Sequence, residues 1–556
     1  MKLQEKFGIY GIDDERTRKV IYPNRVVLTR GNVAGAENLR KFRPAQVAIY
    51  AYDDACVLDN RNSTENAAVL VDFGREIHGT VTVSIWTIST QHADFRLRFG
   101  ESVSEAITPI GEKGTTNDHA ERDMTFGAAS WSSNESNESG FRFAYLELLT
   151  PNCKVDVRCI AGTLVFRDIE YKGSFQCSDP LVNQIYDTAA YTVHLNMQRY
   201  LWDGIKRDRL VWAGDMNTEL ATILSVFGPN PVVTKSLDLV REVTPTEASM
   251  NGLSSYNLGW MLCHYDWYMH TGDYEYLREQ KDYIAAMMKR YVTYIDENGS
   301  ENLPEGRFFD WPTRGNPDQM HAGLQGLTAL ALQKGGELLR ILGESALADE
   351  CLRTAERMKQ HIPETKDGSK QSAALLAIAG VCTPEDMYEN VISKGGAAGF
   401  STFLGYYTLS AIAEAGQYEA GLSMMKDYWG GMLAFGATTF WEDFDIRWME
   451  NAAPITDVVP EGKKDIHADY GAYCYTNLRH SLCHGWASGP APWLAKYIMG
   501  IEVLEPGCKK IRFNPHLAGL EWVKGTYPTP YGLIEVEVTP EGAICRAPEE
   551  ITVVRT

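Results

Sequence analysis

Residues 178–200 read S-D-P-L-V-N-Q-I-Y-D-T-A-A-Y-T-V-H-L-N-M-Q-R-Y, and the periodicity of the chain changes there. Asp179 before Pro180 marks a helix start. The carboxylate can accept from a free backbone N–H, and the proline ring fixes φ where no N–H is needed. A long helix is expected to follow. Upstream the pattern is β: Val26-Val27-Leu28-Thr29, Gly79 to Trp86, Phe95 to Phe99 and Phe143 to Leu148 alternate or are β-branched. Ser130 to Gly140 reads as a polar loop between strands.

Downstream, helical stretches follow one another to about residue 500: Tyr274 to Glu297, His321 to Leu342, Ser345 to Ile362 and one opened by Thr383-Pro384. No fixed-period repeat is visible, which disfavours a solenoid. From about residue 503 alternation returns in Lys510 to Phe513 and Leu533 to Val538, with Pro530-Tyr531-Gly532 as a turn. The expected organisation is multidomain. It comprises an N-terminal β-sandwich over 1–172, a central all-α (α/α)6 six-hairpin toroid over 173–502 and a small C-terminal β-sandwich over 503–556.

With 556 residues, 44% of them hydrophobic and 23% charged, the chain can bury several cores. A net charge of −20 disfavours polyanionic partners, so neither nucleic acid nor an acidic membrane surface is expected. Eleven cysteines without CxxC spacing argue against a disulfide framework or a zinc site. No apolar run is long enough to span a bilayer and no leader is visible at the start, so a cytoplasmic location is expected. No cofactor or metal is expected.

The chemistry concentrates in W-D-G-I-K-R-D-R-L-V-W-A-G-D-M, residues 202–216. Asp203, Asp208 and Asp215 stand among Arg207, Arg209, Trp202 and Trp212. On a loop over a cavity the carboxylates can converge, held ionised by arginine or kept protonated by burial. A structural ion-pair network at a helix junction fits the same spacing. Residues 436–448, G-A-T-T-F-W-E-D-F-D-I-R-W, set Glu442, Asp443 and Asp445 between Trp441 and Trp448. A helix start capped by Thr438 or Thr439 is the plainer reading. Asp310-Trp311, with Arg314 beyond, suits a sugar-binding wall or a capped turn. His484 precedes a glycine-rich bend. Trp260, His264, Trp267 and Tyr268 fall at helical spacing and read as core.

Together these clusters resemble the inverting α-L-rhamnosidase family of glycoside hydrolases. That family's D-x-P-x-R-D-E-R-x-x-W-x-G-D is similar to Asp203 through Asp215 here. Val71 to Gly79 resembles its DFGxNxxG, Ala437 to Glu442 its ATTxWE, and His484-Gly485-Trp486 its NHYAFG. The tail, Pro506-Gly507 to Pro515-His516 and then Thr529 to Gly532, resembles its closing β-domain. The acid loop departs from the pattern. It is one residue short at Arg207-Asp208-Arg209, lacks the usual glutamate, and has Gly204-Ile205 for Cys-Pro.

The resemblance implies hydrolysis of a terminal α-L-rhamnosyl bond with inversion, in an oligosaccharide or rhamnoside. It makes Asp208 or a neighbour the general acid and Glu442 the general base. It gives substrate contacts to Asp203, Arg207, Trp212, Asp215, Asp310, Trp311, Trp441 and His484. The other readings are a toroid glycosidase or lyase acting on another sugar, and a carbohydrate-binding protein with impaired catalysis.

Overall fold

The computed structural model describes residues 6–8, 11–12, 14–41, 54–304, 306–363, 368–473 and 475–556. Its N-terminal part is a hydrogen-bonded ten-stranded sheet. The long strand Ala68–Ile88 changes neighbours along its length. Its first half lies between Arg25–Arg30 and Ser139–Leu148; beyond a register break at Asp72/Ile77 it pairs with Lys154–Arg167 and Ser133–Glu135. The layers of the expected sandwich are therefore continuous through this strand. Alternation sets its two faces: Val69 and Val71 enter the main β core with Phe95, Phe99 and Phe141, whereas Ala68 and Leu70 pack with Phe143 under the helix Val103–Ile107. The expected loop Ser130 to Gly140 holds the short strand Ser133–Glu135. Its polar side chains suit an edge, where the backbone alone makes the pairing.

Asp179 accepts from Leu181 N at 2.9 Å and opens the helix Pro180–Asn196 as the sequence suggested. The same cap-then-proline signal starts Pro231–Val243, Pro317–Ile341 and Pro384–Met387. Among the described residues the helices pair into six hairpins. Met216–Val226, Tyr256–Thr271, Pro317–Ile341, Lys370–Ile378, Gly405–Glu414 and Pro490–Trp493 touch in succession as an inner ring, and the last returns to the first. Pro180–Asn196, Pro231–Val243, Lys281–Thr293, Ser345–Met358, Pro384–Met387 and Tyr418–Ala434 supply the outer ring. The helix expected over Tyr274 to Glu297 is broken at Gln280. No helix among the described residues is long and apolar enough to cross a membrane.

The C-terminal part has two sheets: a three-stranded one of Ile501–Glu505, Lys510–Phe513 and Thr552–Arg555, and a four-stranded one in the order Ser174–Cys177, Val523–Thr529, Gly532–Thr539, Gly542–Arg546. Ser174–Cys177 comes from the segment assigned by sequence to the toroid. Ser174 faces Thr526 and Cys177 faces Val523, so the chain lays down one edge strand of the four-stranded sheet before the first toroid helix begins. Phe175, Val523, Ile534 and Val536 share one continuous core with the helices.

The N-terminal domain grips the toroid through buried charge. Lys206 Nζ meets Glu101 Oε2 at 3.0 Å and Glu105 Oε1 at 3.3 Å, and donates to the carbonyls of Leu478 and His480. Glu101 Oε2 also accepts from Leu482 N at 2.7 Å. Ligand atoms of Glu101, Glu105 and His467 lie within 4.8 Å of one another, and the Lys206 ammonium supplies the positive charge beside the two carboxylates.

Close approach of two inner helices requires Gly326. A Cβ there would lie 2.6 Å from the backbone carbon of Leu375. At an open helical site Gly→Ala stabilises by about 0.5–1 kcal/mol. Here Gly326→Ala is expected to destabilise by about 1–3 kcal/mol through overpacking, read as a lower urea midpoint. A raised midpoint would contradict the packing described.

Candidate active site

A cavity of about 350 Å³ opens at the end of the toroid where outer helices pass to inner ones. Residues 203–215, 251–253, 306–314 and 442–486 bring its lining from four such connections. The segment 202–216 is a loop, and Asp208 and Arg209 are consecutive residues at φ 54° and 51°. Side chains rarely adopt this left-handed region, at a cost of about 1–3 kcal/mol each. Arg209 is held there by the carbonyls of Glu138 and His119 in the N-terminal domain. Its guanidinium leaves on that side, while the Asp208 carboxyl reaches the cavity wall.

Arg207 organises the floor. Its Nη2 donates to both oxygens of Glu442, each at 2.6 Å, and its Nη1 to Asp208 Oδ1 at 3.0 Å. Its Nε donates to the carbonyl of Arg479 at 3.1 Å, and the guanidinium lies 5.5 Å from the Tyr475 ring centroid. One planar fork thus holds a carboxyl on each of two nitrogens.

The chain of contacts continues past Glu442. His484 Nδ1 lies 3.7 Å from Glu442 Oε1, its Nε2 lies 3.2 Å from Asp215 Oδ2, and Tyr256 Oη donates to Asp215 Oδ1 at 3.1 Å. Asp203 closes the ring of acids. Its Oδ1 accepts from Leu210 N at 3.0 Å, and its carbonyl accepts from Gly485 N at 2.8 Å, tying the first loop to the last.

Burial dominates the electrostatics. It pushes Asp203 well above the usual carboxylate range, and the charges of Asp208 and Asp215 add to the shift. Burial raises Glu442 as well, and Arg207 and Ser481 N pull it back. Burial lowers His484, against the hydrogen bond to Asp215. The site therefore holds a carboxyl environment that favours a proton beside one where a guanidinium supports the anion.

The structure brings Asp203, Arg207, Asp208, Trp212, Asp215, Trp311, Glu442 and His484 to one cavity. Two expected contacts are elsewhere. Asp310 is buried behind the wall: its carboxylate caps a short 3-10 helix by accepting from Trp311 N, and accepts from Ser401 Oγ at 2.6 Å. Trp441 is buried and meets Phe444 and His480 edge-on; its neighbour Glu442, not the indole, faces the cavity. Nor does a helix start at Thr438 or Thr439. Thr438 accepts from Glu76 N in the N-terminal domain, Thr439 donates to Leu482 O, and the segment runs as a loop to Asp445. Tyr475, Phe308, Leu253 and Asn251 were not singled out from sequence. Tyr256 opens the helix whose Trp260, His264, Trp267 and Tyr268 read as core. The rest of that reading agrees with the structure, where Trp260, His264 and Trp267 are buried.

A six-hairpin toroid whose floor carries paired carboxylates under aromatic walls is the architecture of a glycosidase. Residues 170–498 match the bacterial alpha-L-rhamnosidase 6 hairpin glycosidase domain, and residues 500–545 match the bacterial alpha-L-rhamnosidase C-terminal domain. The chain belongs to this family. It is 22% identical over 529 residues to the alpha-L-rhamnosidase of Formosa agariphila, covering 84% of this chain and 52% of that protein. It thus spans about half the length of that curated relative. A rhamnosidase from Bacillus sp. GL1 superposes with TM-score 0.75 at 20% identity, over 94% of this chain and 55% of that one. A Klebsiella oxytoca rhamnosidase, with rhamnose bound, gives 0.68 at 19% identity, over 86% and 96%. These superpositions establish the shared fold.

Burial pushes the Asp310 carboxyl from 3.8 up to about 7. The folded chain keeps a proton there that the unfolded chain loses above about 4. This group's contribution to stability is therefore full below that pH and is lost as pH rises through about 7. Asp310→Asn is expected to flatten the fall in urea midpoint between pH 5 and pH 8. An unchanged pH slope in the variant would contradict the buried-cap assignment.

Proposed function

We propose that this chain is an exo-acting, inverting α-L-rhamnosidase that removes a terminal α-L-rhamnosyl residue. The observation that carries the reading is the single guanidinium of Arg207 holding Asp208 and Glu442 on the floor of one small cavity. Its volume is near the lower end of the ~300–1,000 Å³ range of ligand pockets. That suits one sugar ring entered from its end rather than a chain passing through.

In this reading Asp208 gives its proton to the glycosidic oxygen. Glu442 takes a proton from water as the water oxygen bonds to the anomeric carbon from the opposite face. Arg207 draws Glu442 back toward the basic form against burial. Asp203 and Asp215 accept from sugar hydroxyls, with His484 and Tyr256 fixing Asp215. Trp212, Trp311 and Trp486 offer aromatic faces to C–H groups. Leu253 and Phe308 give the apolar wall that a 6-deoxy sugar's methyl group needs.

One observation favours a second assignment of the acid: Asp203 is the carboxyl that burial pushes well up. Variants separate the two. Asp208→Asn is expected to lower turnover of a rhamnoside with a poor leaving group by about 10²–10⁴, and to spare an activated aryl rhamnoside, which scarcely needs a proton. Equal losses on both substrates would transfer the role to Asp203. Glu442→Gln is expected to cost about 10²–10⁴ on both. A wild-type preference for another aryl glycoside over the α-L-rhamnoside would overturn the substrate assignment.

A further inference from the structure

The toroid holds a second cavity, of about 270 Å³, toward the end away from the active site. Leu224, Asp266 and Lys334 reach it from the later turns of three inner helices, and Glu502 and Tyr527 from one strand of each C-terminal sheet. None of the residues assigned to the reaction lines it. Burying charge is costly unless it is paired and hydrogen-bonded, so a space that served only to join domains would be lined by apolar groups. This one keeps two ammonium groups and a carboxylate in its wall. Lys496 Nζ lies 3.6 Å from Glu502 Oε1 and 4.0 Å from Glu414 Oε1. Lys334 Nζ lies 3.6 Å from Glu337 Oε2 and donates to Tyr265 Oη at 3.1 Å. Burial raises the Asp266 carboxyl, and Asn217, Lys334 and Lys496 draw it back toward the anion. Asn217 Nδ2 donates to Asp266 Oδ2 at 2.9 Å, which leaves Oδ1 for another donor. His270, 2% exposed, belongs to the same wall. Its Nδ1 is 3.4 Å from Tyr527 Oη, and its Nε2 has no hydrogen-bond partner among the described residues. Burial pushes this ring down to about 4, so it stands neutral, with one nitrogen to donate and one to accept.

We propose that this rear cavity binds a free neutral monosaccharide. The inference goes beyond the rhamnosidase reading and does not depend on it. Size, charge and chemistry each narrow the ligand. The volume is close to that of the first cavity, which suits one ring. Each ammonium already has carboxylates near it, Glu337 for Lys334 and both Glu414 and Glu502 for Lys496. Asp266 adds a further negative charge, so no surplus cation remains for an anionic ligand. The Lys496 contacts are nonetheless too long to be hydrogen bonds, and its N–H groups can donate to hydroxyls. Asp266 and Glu502 can accept from others. Tyr406 and Tyr527 stand half-buried in the wall and offer aromatic surface to C–H groups. Donors, acceptors and aromatic rings in one small space of balanced charge match a polyol ring. They match neither an apolar ligand nor a phosphate.

Heats of binding to the full chain test this. L-Rhamnose, D-glucose and D-galactose are the neutral probes; D-glucuronate and inorganic phosphate are the anionic ones. Asp215→Asn weakens the first cavity's hold on a sugar, so the rear site is read in that background. At least one neutral sugar is expected to bind there saturably, with an affinity that falls on the order of tenfold when Lys496→Met or Tyr406→Phe is added. Tightest binding of L-rhamnose would identify the occupant as the released sugar of the proposed reaction. Tightest binding of glucose or galactose would identify it as a sugar from outside that reaction. An unchanged melting temperature is the check that each variant is folded, and Tyr406→Phe, which removes one hydroxyl, decides the matter if Lys496→Met does not fold. Three results would overturn the proposal: no saturable binding of any neutral probe, binding that both variants leave intact, or binding of the anionic probes alone.

Discussion

The site depends on one guanidinium. Arg207 reaches Asp208 in its own loop and Glu442 from a loop 235 residues away. Without that cation, burial would act on the Glu442 carboxyl with only the Ser481 N–H to oppose it. With it, a group that burial raises is drawn back toward the anion a water-activating base requires. A charge pair of this kind stabilises little in net terms, and breaking it by removing one partner is costly. Its use here is geometric: it fixes the distance between two carboxyls supplied by different connections of the toroid.

The N-terminal domain is part of this arrangement. Lys206, next to Arg207, is buried between Glu101 and Glu105 and also binds the carbonyls of Leu478 and His480. Those carbonyls belong to the segment that supplies Ser481 N to Glu442 and then His484 to the cavity. Arg209, on the other side of Asp208, binds N-terminal carbonyls in turn. Asp208 thus stands in a strained turn clamped at both flanks by a domain that contributes none of the cavity's described lining. Such strain persists where the surroundings over-determine it.

Much of this was legible in the chain. Asp179-Pro180 announced the toroid because a cap and a proline act locally, through the backbone of their own helix. Asp203, Asp208 and Asp215 beside two indoles read equally as a shared pocket or as a structural ion-pair network, and the fold brings all three to one cavity. Other features depend on remote partners. Ser174–Cys177 completes a sheet with strands some 350 residues later, as in the Ser174 to Thr526 hydroxyl contact, and no local pattern encodes that. Asp310 and Trp441 stand beside residues that do line the cavity, but a loop has no period from which to read which neighbour faces inward. Tyr256 follows the spacing of a core helix and turns its hydroxyl to Asp215 only because it lies in the first turn, at the cavity's edge.

The most direct test of an acid and a base set on opposite faces by Arg207 is the configuration of the first-formed product. The anomeric proton of the sugar released from an aryl α-L-rhamnoside, followed by NMR before mutarotation, is expected to be that of the β-anomer. Initial release of the α-anomer would contradict the account. It would require a covalent intermediate, carboxyls about 5–5.5 Å apart, and a nucleophile where Glu442 is assigned to activate water.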